Sequence, residues 1–317
     1  MKTEQTHDVA IIGGGAAGLS AAVTLARSLR SVVVVDAGEP RNAPSAGAHN
    51  VLGREGIPPL ELLAAGRREA EQYGAEVHSG RAESVRRCGD GFEVHLAGGG
   101  TLHARRLLLA TGLIDELPDV PGVRGFWGES VLHCPYCHGW EVRGQRIGVL
   151  GTSPLSVHQA LLFRQLSDDV TLFLHTMPEP DDETWEQLFA LDIQVVNGTV
   201  QRLGSGNGVL QTVVLEDGHE FEVDAVAVGP RVVARADLYE QLGGALTEHP
   251  MGAFIEAGPM GRTEIPGVWT AGNVNDLPAM VSVSSGAGVM AGAAINADLV
   301  AEDARTAVEL RRSLSRT

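Results

Sequence analysis

The stretch DVAIIGGGAAGLSAAVTLARSLRSVVVVD, residues 8–36, constrains this chain more than any other. DVAII is a short apolar run that reads as a buried strand. GGGAAG follows at once, giving Gly13-x-Gly15-x-x-Gly18. LSAAVTLARSL then has helical composition and periodicity, and SVVVVD is a β-branched strand ending at Asp36. Such a unit aims a helix N-terminus, with its N–H groups and partial positive charge, beyond the end of a strand. Gly13 makes the tight turn, Gly15 lets bare backbone approach a pyrophosphate, and Gly18 lets helix and strand pack closely. Asp36 stands where ribose hydroxyls would need an acceptor. The glycine spacing alone is weak, but strand, helix and distal acid together predict dinucleotide binding. The loop itself does not decide between FAD and NAD.

The layout recurs in GQRIGVLGTSPLSVHQALLFRQL, with RIGVL as strand and LSVHQALLFRQL as helix. Here the loop is eroded. Gly151 remains, but Ser153 and Ser156 stand at the second and third glycine positions, and Pro154 removes an N–H near the helix start. The next strand, DVTLFLH, ends at His175 and is followed by Glu179, Asp181, Asp182 and Glu183. Acids there would repel the phosphate of NADPH, where basic residues are needed. The expectation is a second dinucleotide-type domain whose nicotinamide chemistry is lost. The competing reading is an atypical site that still takes NADPH.

A length of 317 residues suits two domains, and 44% hydrophobic residues suffices for a large core. A net charge of −16 argues against nucleic acid and anionic membranes as partners. The sequence has no uninterrupted apolar run of about 18 residues, so no membrane span is expected. MKTEQTHDVAIIGGG lacks the charged-then-apolar layout of a secretion signal, which makes a cytoplasmic protein the default expectation.

Two of the three cysteines form Cys134-Pro135-Tyr136-Cys137 inside HCPYCHG. Zinc would want a second pair of ligands, and Cys88 stands alone in SVRRCGDGF, so no metal is expected. A dithiol/disulfide couple is the better reading. Cys88 reads as a bystander at a hairpin turn. His138 follows Cys137 directly and titrates in the range useful for taking a thiol proton; the alternative is that it caps or packs at a helix start. His49, in AGAHNVLGREG, is either a cofactor-side residue or an ordinary loop histidine.

Taken in order, the Gly13–Gly18 loop, Ala110-Thr111-Gly112, the C-x-x-C at 134–137 and GVWTAGNVND followed by SSGAGVMAGAAI resemble the low-molecular-weight thioredoxin reductase family over nearly the whole chain. That family has an acid after the second cysteine, an intact second glycine loop with basic residues, and AGD near the end. This chain has His138, the eroded loop, acids, and Asn273. With those departures it is similar to the flavin-dependent dithiol oxidases of natural-product pathways, of the holomycin and gliotoxin type. Its arginine-heavy composition, with Lys2 the sole lysine, leans to the bacterial, holomycin-like kind.

The resemblance implies an α/β protein of two Rossmann-like, doubly wound domains. The FAD-binding domain, 1–115 and 242–317, is discontinuous; the inserted, degenerate NAD(P)H-like domain, 116–241, carries the C-x-x-C. It implies FAD held by Gly13, Gly15, Ala16, Ala17, Gly18, Asp36, Ala37, Asn42, Asn50, Ala110, Thr111, Gly112, Gly272 and Asn273. It also implies a homodimer acting on a small-molecule dithiol, with O2 as terminal acceptor. Cys134, expected to be the more exposed sulfur, would be attacked by substrate, and Cys137 would face the flavin. The rival expectation is an NADPH-dependent disulfide reductase.

Overall fold

The computed structural model describes residues 6–315; the first five residues of the N-terminal stretch and the last two of the chain lie outside it. The chain divides into two compact units. One comprises residues up to Ala43, Asn50–Ile114 and Val232 onward; the other comprises Pro44–His49 and Asp115–Arg231.

The first unit opens with β1 (Thr6–Ile12), α1 (Ala16–Arg27), β2 (Val32–Asp36), α2 (Pro59–Gln72) and β3 (Glu76–Ser79). The meander β4 (Ala82–Cys88), β5 (Gly91–Leu96) and β6 (Thr101–Leu109) follows, and the chain leaves through β7 (Leu113–Glu116). The main sheet runs β3-β2-β1-β6-β5-β4, with β1 parallel to both β2 and β6. Its central strands carry consecutive apolar residues, Val9–Ile12, Val32–Val35 and Leu107–Leu109, because both faces are covered there. Val9, Ile11, Val32, Val34 and Leu108 pack on the α1 side, while Ala10, Ile12, Val33, Val35, Leu107 and Leu109 pack on the other.

The second unit contains β8 (Val131–Leu132), α3 (Pro135–His138), β9 (Ile147–Leu150), α4 (Leu155–Arg164), β10 (Val170–Phe173), α5 (Asp182–Ala190) and β11 (Gln194–Val196). Next come the antiparallel strands β12 (Val200–Gly206), β13 (Val209–Leu215) and β14 (Glu220–Glu222), then β15 (Ala225–Val228). Its parallel sheet, β11-β10-β9-β15-β8, is again buried on both faces: Val149, Leu172 and Ala227 lie on one side, Leu150, Phe173 and Val228 on the other. Both units are therefore Rossmann-like.

The chain re-enters the first unit through β16 (Arg231–Ala234) and α6 (Asp237–Gln241), followed by β17 (Thr247–His249), β18 (Gly252–Phe254), β19 (Val268–Thr270) and α7 (Val281–Leu314). Residues 232–241, expected in the inserted segment, belong to the first unit because Ala234, Ala236, Leu238 and Tyr239 complete its core. In the other direction, Pro44–His49 joins the second unit, where Pro44 packs on Gly128.

At the end of the chain, β19 adds parallel to β6, and α7 lies along α1. By length and composition α7 is long and apolar enough to cross a membrane, although no single uninterrupted run signals it. Its inward stripe, Ser284, Gly288, Ala291, Gly292, Ile295 and Leu299, is buried within the unit. Further along, buried Arg106 pairs with Asp298 at 2.7 Å and with Glu302, while Arg105 reaches Asp8 and Asp303.

Glycine sets the α1–α7 approach. A Cβ on Gly288 would sit 2.0 Å from the Ala17 carbonyl oxygen, whereas one on Gly286 meets nothing within 4 Å among the described residues. Gly288→Ala should destabilise the protein by about 1–3 kcal/mol through overpacking. Gly286→Ala should be neutral or stabilising by up to about 1 kcal/mol, as expected within a helix. Urea unfolding of the two variants checks this; equal effects would contradict the packing account.

Candidate functional site

In the first unit, β1 runs directly into the glycine loop. Gly13 has φ +108°, and a Cβ there would lie 2.2 Å from the Ala110 carbonyl oxygen. A Cβ on Gly18 would lie 1.9 Å from the Gly13 oxygen, so helix and loop touch backbone to backbone. Gly15 differs: it is the extended N-cap of α1, and nothing stands within 4 Å of its Cβ position among the described residues. The first turn of α1 carries no acid and no side-chain cap, so its N–H groups and positive dipole end stay available to an anion.

Ala17, buried, meets the late segment. Gly272, at φ +86°, would place a Cβ 3.0 Å from the Ala17 Cβ. Gly13, Gly15, Ala16, Ala17, Gly18, Ala110 and Gly272 thus gather around the start of α1. Thr111 donates to the Arg235 carbonyl at 2.7 Å, and the Gly112 carbonyl accepts the Arg235 N–H at 3.0 Å. Ala37 is exposed beyond β2, and Asn42 is half-buried in the 41–44 turn. Asn50 is exposed at φ +60°, its N–H on Glu55 and its carbonyl taking the Ser282 hydroxyl.

Two predicted residues have structural duties. Asp36 Oδ1 accepts from the Gly14 N–H at 3.1 Å, so one carboxylate oxygen braces the loop. Asn273 Nδ2 lies against the carbonyls of Asp276, Leu277 and Ala279 at 3.2, 3.1 and 2.8 Å. A carboxylate at position 273 would face three acceptors with no proton to offer, which is the physical reason for Asn here.

Sequence reasoning missed Arg235 and Asn275. Arg235 Nε and Asn275 Oδ1 are buried without a partner among the described residues, in segments that flank Gly112 and Asn273. Orphaned polar atoms of this kind are costly unless something else bonds them. With the open position at Gly15, they fit a bound dinucleotide. No sequence pattern marks either residue.

The second loop has the same scaffold and a different donor supply. Ser156 is buried, and its hydroxyl accepts from the Thr152 N–H at 3.1 Å. The N–H groups of Ser156 and Val157 bond back to Ser153 and Pro154 at 2.9 and 3.3 Å, and Pro154 has none to give. The donors a phosphate would use are thus largely occupied. The acidic segment beyond β10 is a helix start: Asp181 caps α5 by accepting from the Thr184 N–H at 2.9 Å, and Asp182 and Glu183 occupy its first turn.

In the same unit, Cys134 is the N-cap of the single-turn helix α3, and the N–H groups of Cys137 and His138 bond its carbonyl at 3.2 and 3.1 Å. The i, i+3 spacing thus puts Cys134 at the extended N-cap and Cys137 one turn on, within the helix. Both cysteines are half-buried. His133 is anchored, with Nδ1 3.2 Å from the Val228 carbonyl and its own carbonyl accepting from Gln159 at 2.6 Å.

His138 Nε2 lies 2.6 Å from Ser45 Oγ. Burial pushes its imidazole below the ordinary histidine range; Glu141 pulls it back up, and His49 pushes it further down. His49, a loop residue of uncertain duty on sequence, stands 3.5 Å from Glu141. Away from this cluster, Cys88, Glu93 and His103 bring potential metal-ligating atoms within 4.8 Å of one another. The Glu93 carboxylate is already paired with Arg86 and with His95 at 3.0 Å.

Gly15→Val should fold with near-wild-type stability yet lose the capacity to bind a dinucleotide, whereas Gly18→Val should fail to fold; cofactor absorbance after gel filtration and thermal melts separate the two. For His138, the folded value lies below the unfolded one, so the unfolded chain binds more protons. Its contribution is complete above about pH 6.5 and erodes as pH falls toward the folded value. His138→Gln should flatten part of that decline in urea titrations. His7 and His175, also lowered by burial, keep the remainder.

Residues 7–288 match the pyridine nucleotide-disulphide oxidoreductase family. The chain is 33% identical to thioredoxin reductase tcpT of Claviceps purpurea, across 94% of this chain and 97% of that protein. It is 31% identical to thioredoxin reductase sirT of Leptosphaeria maculans, across 93% and 95%. The crystal structure of HlmI superposes with a TM-score of 0.91 at 46% identity, covering 98% of each chain. Two Rossmann-like units, an open glycine loop and a C-x-x-C turn accord with these likenesses, and the chain belongs to the pyridine nucleotide-disulphide oxidoreductase family as a thioredoxin reductase-like member.

Proposed function

We propose that this chain is an FAD-dependent dithiol oxidase. It closes an intramolecular disulfide in a small-molecule natural product, with O2 as terminal acceptor and H2O2 as by-product. We take it to work as a cytoplasmic homodimer. The observation that carries the reading is the second loop, where Ser156, Pro154 and internal hydrogen bonds occupy the positions a nicotinamide dinucleotide would need. The C-x-x-C keeps its helical turn, so electrons have to enter from the thiol side.

The start of α1, Asp36, the 110–112 segment with Arg235, and the 272–275 segment would hold FAD. Bound there, FAD supplies a two-electron acceptor that oxygen can reoxidise. The remaining steps belong to the chain's own residues. A substrate thiol, with an ordinary pKa of about 8.5, gives its proton to neutral His138. The resulting thiolate attacks Cys134 of the Cys134–Cys137 disulfide; the new S–S bond forms as the old one breaks, and Cys137 leaves as thiolate. Once His138 has released that proton to solvent it takes the proton of the second substrate thiol, whose thiolate attacks the substrate sulfur of the mixed disulfide and expels Cys134 as thiolate. The product gains one disulfide, and the enzyme pair holds the two electrons.

The names of the relatives favour the second reading, an NADPH-dependent disulfide reductase. Anaerobic stopped-flow separates the two. A small dithiol such as dithiothreitol should bleach the flavin, and millimolar NADPH should not. Cys134→Ser and Cys137→Ser should each abolish the dithiol reaction while retaining flavin. Rapid, complete bleaching by NADPH would overturn the oxidase reading.

A further inference from the structure

Ser45 lies 93 positions before His138 and in the same compact unit. Its Oγ makes two contacts, 2.9 Å to the Gly47 carbonyl oxygen and 2.6 Å to His138 Nε2. A serine hydroxyl has one proton to donate and lone pairs to accept with. The Gly47 carbonyl has no proton, so that contact is a hydrogen bond only if the Ser45 proton lies on it. Oγ then faces His138 with a lone pair, and Nε2 must carry hydrogen. In the opposite assignment Ser45 donates to a bare Nε2, and two oxygens face each other at 2.9 Å with nothing between them. One neutral tautomer satisfies both contacts; the other leaves one of them repulsive.

We infer that Ser45, oriented by the Gly47 carbonyl, holds His138 in the Nε2–H tautomer and so makes Nδ1 the atom that takes the thiol proton. Neutral imidazole has a single acceptor nitrogen, so the partner of one nitrogen decides what the other can do. The substrate S–H bond breaks as the Nδ1–H bond forms. The positive charge rests on an imidazole whose Nε2–H still points at Ser45 Oγ, and the Nδ1 proton later leaves to solvent. Ser45 transfers no proton; it is a positioning residue. The other groups acting on this imidazole are Glu141 and His49, themselves 3.5 Å apart, and the cysteine pair preceding it in α3. Ser45 and His49 both arrive on the Pro44–His49 segment, which belongs to the second unit although the chain on either side belongs to the first. The proton-accepting role rests on the dithiol oxidase reading; the tautomer does not.

The test reads the tautomer directly, by long-range ¹H–¹⁵N correlation on histidine-labelled, flavin-loaded protein at a pH where His138 is neutral. His138→Gln identifies the ring signals. Hydrogen on Nε2 is expected in the wild type. Ser45→Ala should shift the population toward Nδ1–H and slow flavin reduction by dithiothreitol about 10-fold, the usual worth of one such hydrogen bond. The slowing should fade as pH rises through about 8.5, where thiols ionise unaided. Ser45→Thr, which keeps the hydroxyl, should restore both. Hydrogen on Nδ1 in the wild type, or a Ser45→Ala protein with unchanged tautomer, overturns the inference. A Ser45-dependent Nε2–H tautomer in a protein that dithiols never reduce would uphold the tautomer and sink the oxidase reading instead.

Discussion

Backbone-to-backbone contact at the start of α1 is the constraint on which the first unit depends. Gly13, Gly18 and Gly288 each lie where a single carbon atom would meet a carbonyl oxygen at about 2 Å, and Gly272 presses on Ala17. The strand before the loop, the helix after it, the 110–112 segment and the terminal helix converge because none of them carries a side chain at the point of contact. Gly15 sits among these crowded positions and is itself open. The fold therefore supplies an anion-facing helix end with space in front of it.

The second unit shows that a scaffold of this kind and the chemistry it hosts are separable. Strand, turn and helix recur there, and Gly151 still packs where a Cβ would meet the Phe173 and Leu174 carbonyls. The difference lies in the fate of a few N–H groups. In the first loop the helix start is left uncapped; in the second, Ser156 and two short turns engage the donors from within. The acids beyond β10 follow the same logic. They would repel a phosphate, and Asp181 with its neighbours makes a sound helix start. One set of side chains thus serves the local fold and, on the proposed reading, disfavours a nicotinamide ligand.

Around the C-x-x-C the useful chemistry comes from residues far apart in the chain. His138 sits next to Cys137 by sequence, yet its protonation is governed by burial, by Glu141 one turn on, and by Ser45 and His49 from the 44–49 segment. A half-buried imidazole held below the ordinary histidine range, with one nitrogen engaged, is suited to accept a proton from a thiol. An exposed histidine at the same place would have water at both nitrogens and no fixed partner to hold one of them.

By itself the sequence determined the two strand–loop–helix units, the contrast between their loops and the C-x-x-C that heads the second. Those features are local: glycine, proline and apolar runs act within a few residues, through sterics and hydrogen-bonding capacity that no distant contact can change. Tertiary structure alone decided four matters. It returned residues 232–241 to the first unit by burying Leu238 and Tyr239 there. It turned Asn273 into a loop brace facing three carbonyls. It left Arg235 Nε and Asn275 Oδ1 buried and, among the described residues, unpaired beside the glycine loop's neighbours. It carried Ser45 to His138 across 93 positions of chain. Each depends on which side chains and backbone groups are brought together once both faces of a sheet are covered, a property of packing in three dimensions that neither residue periodicity nor composition encodes.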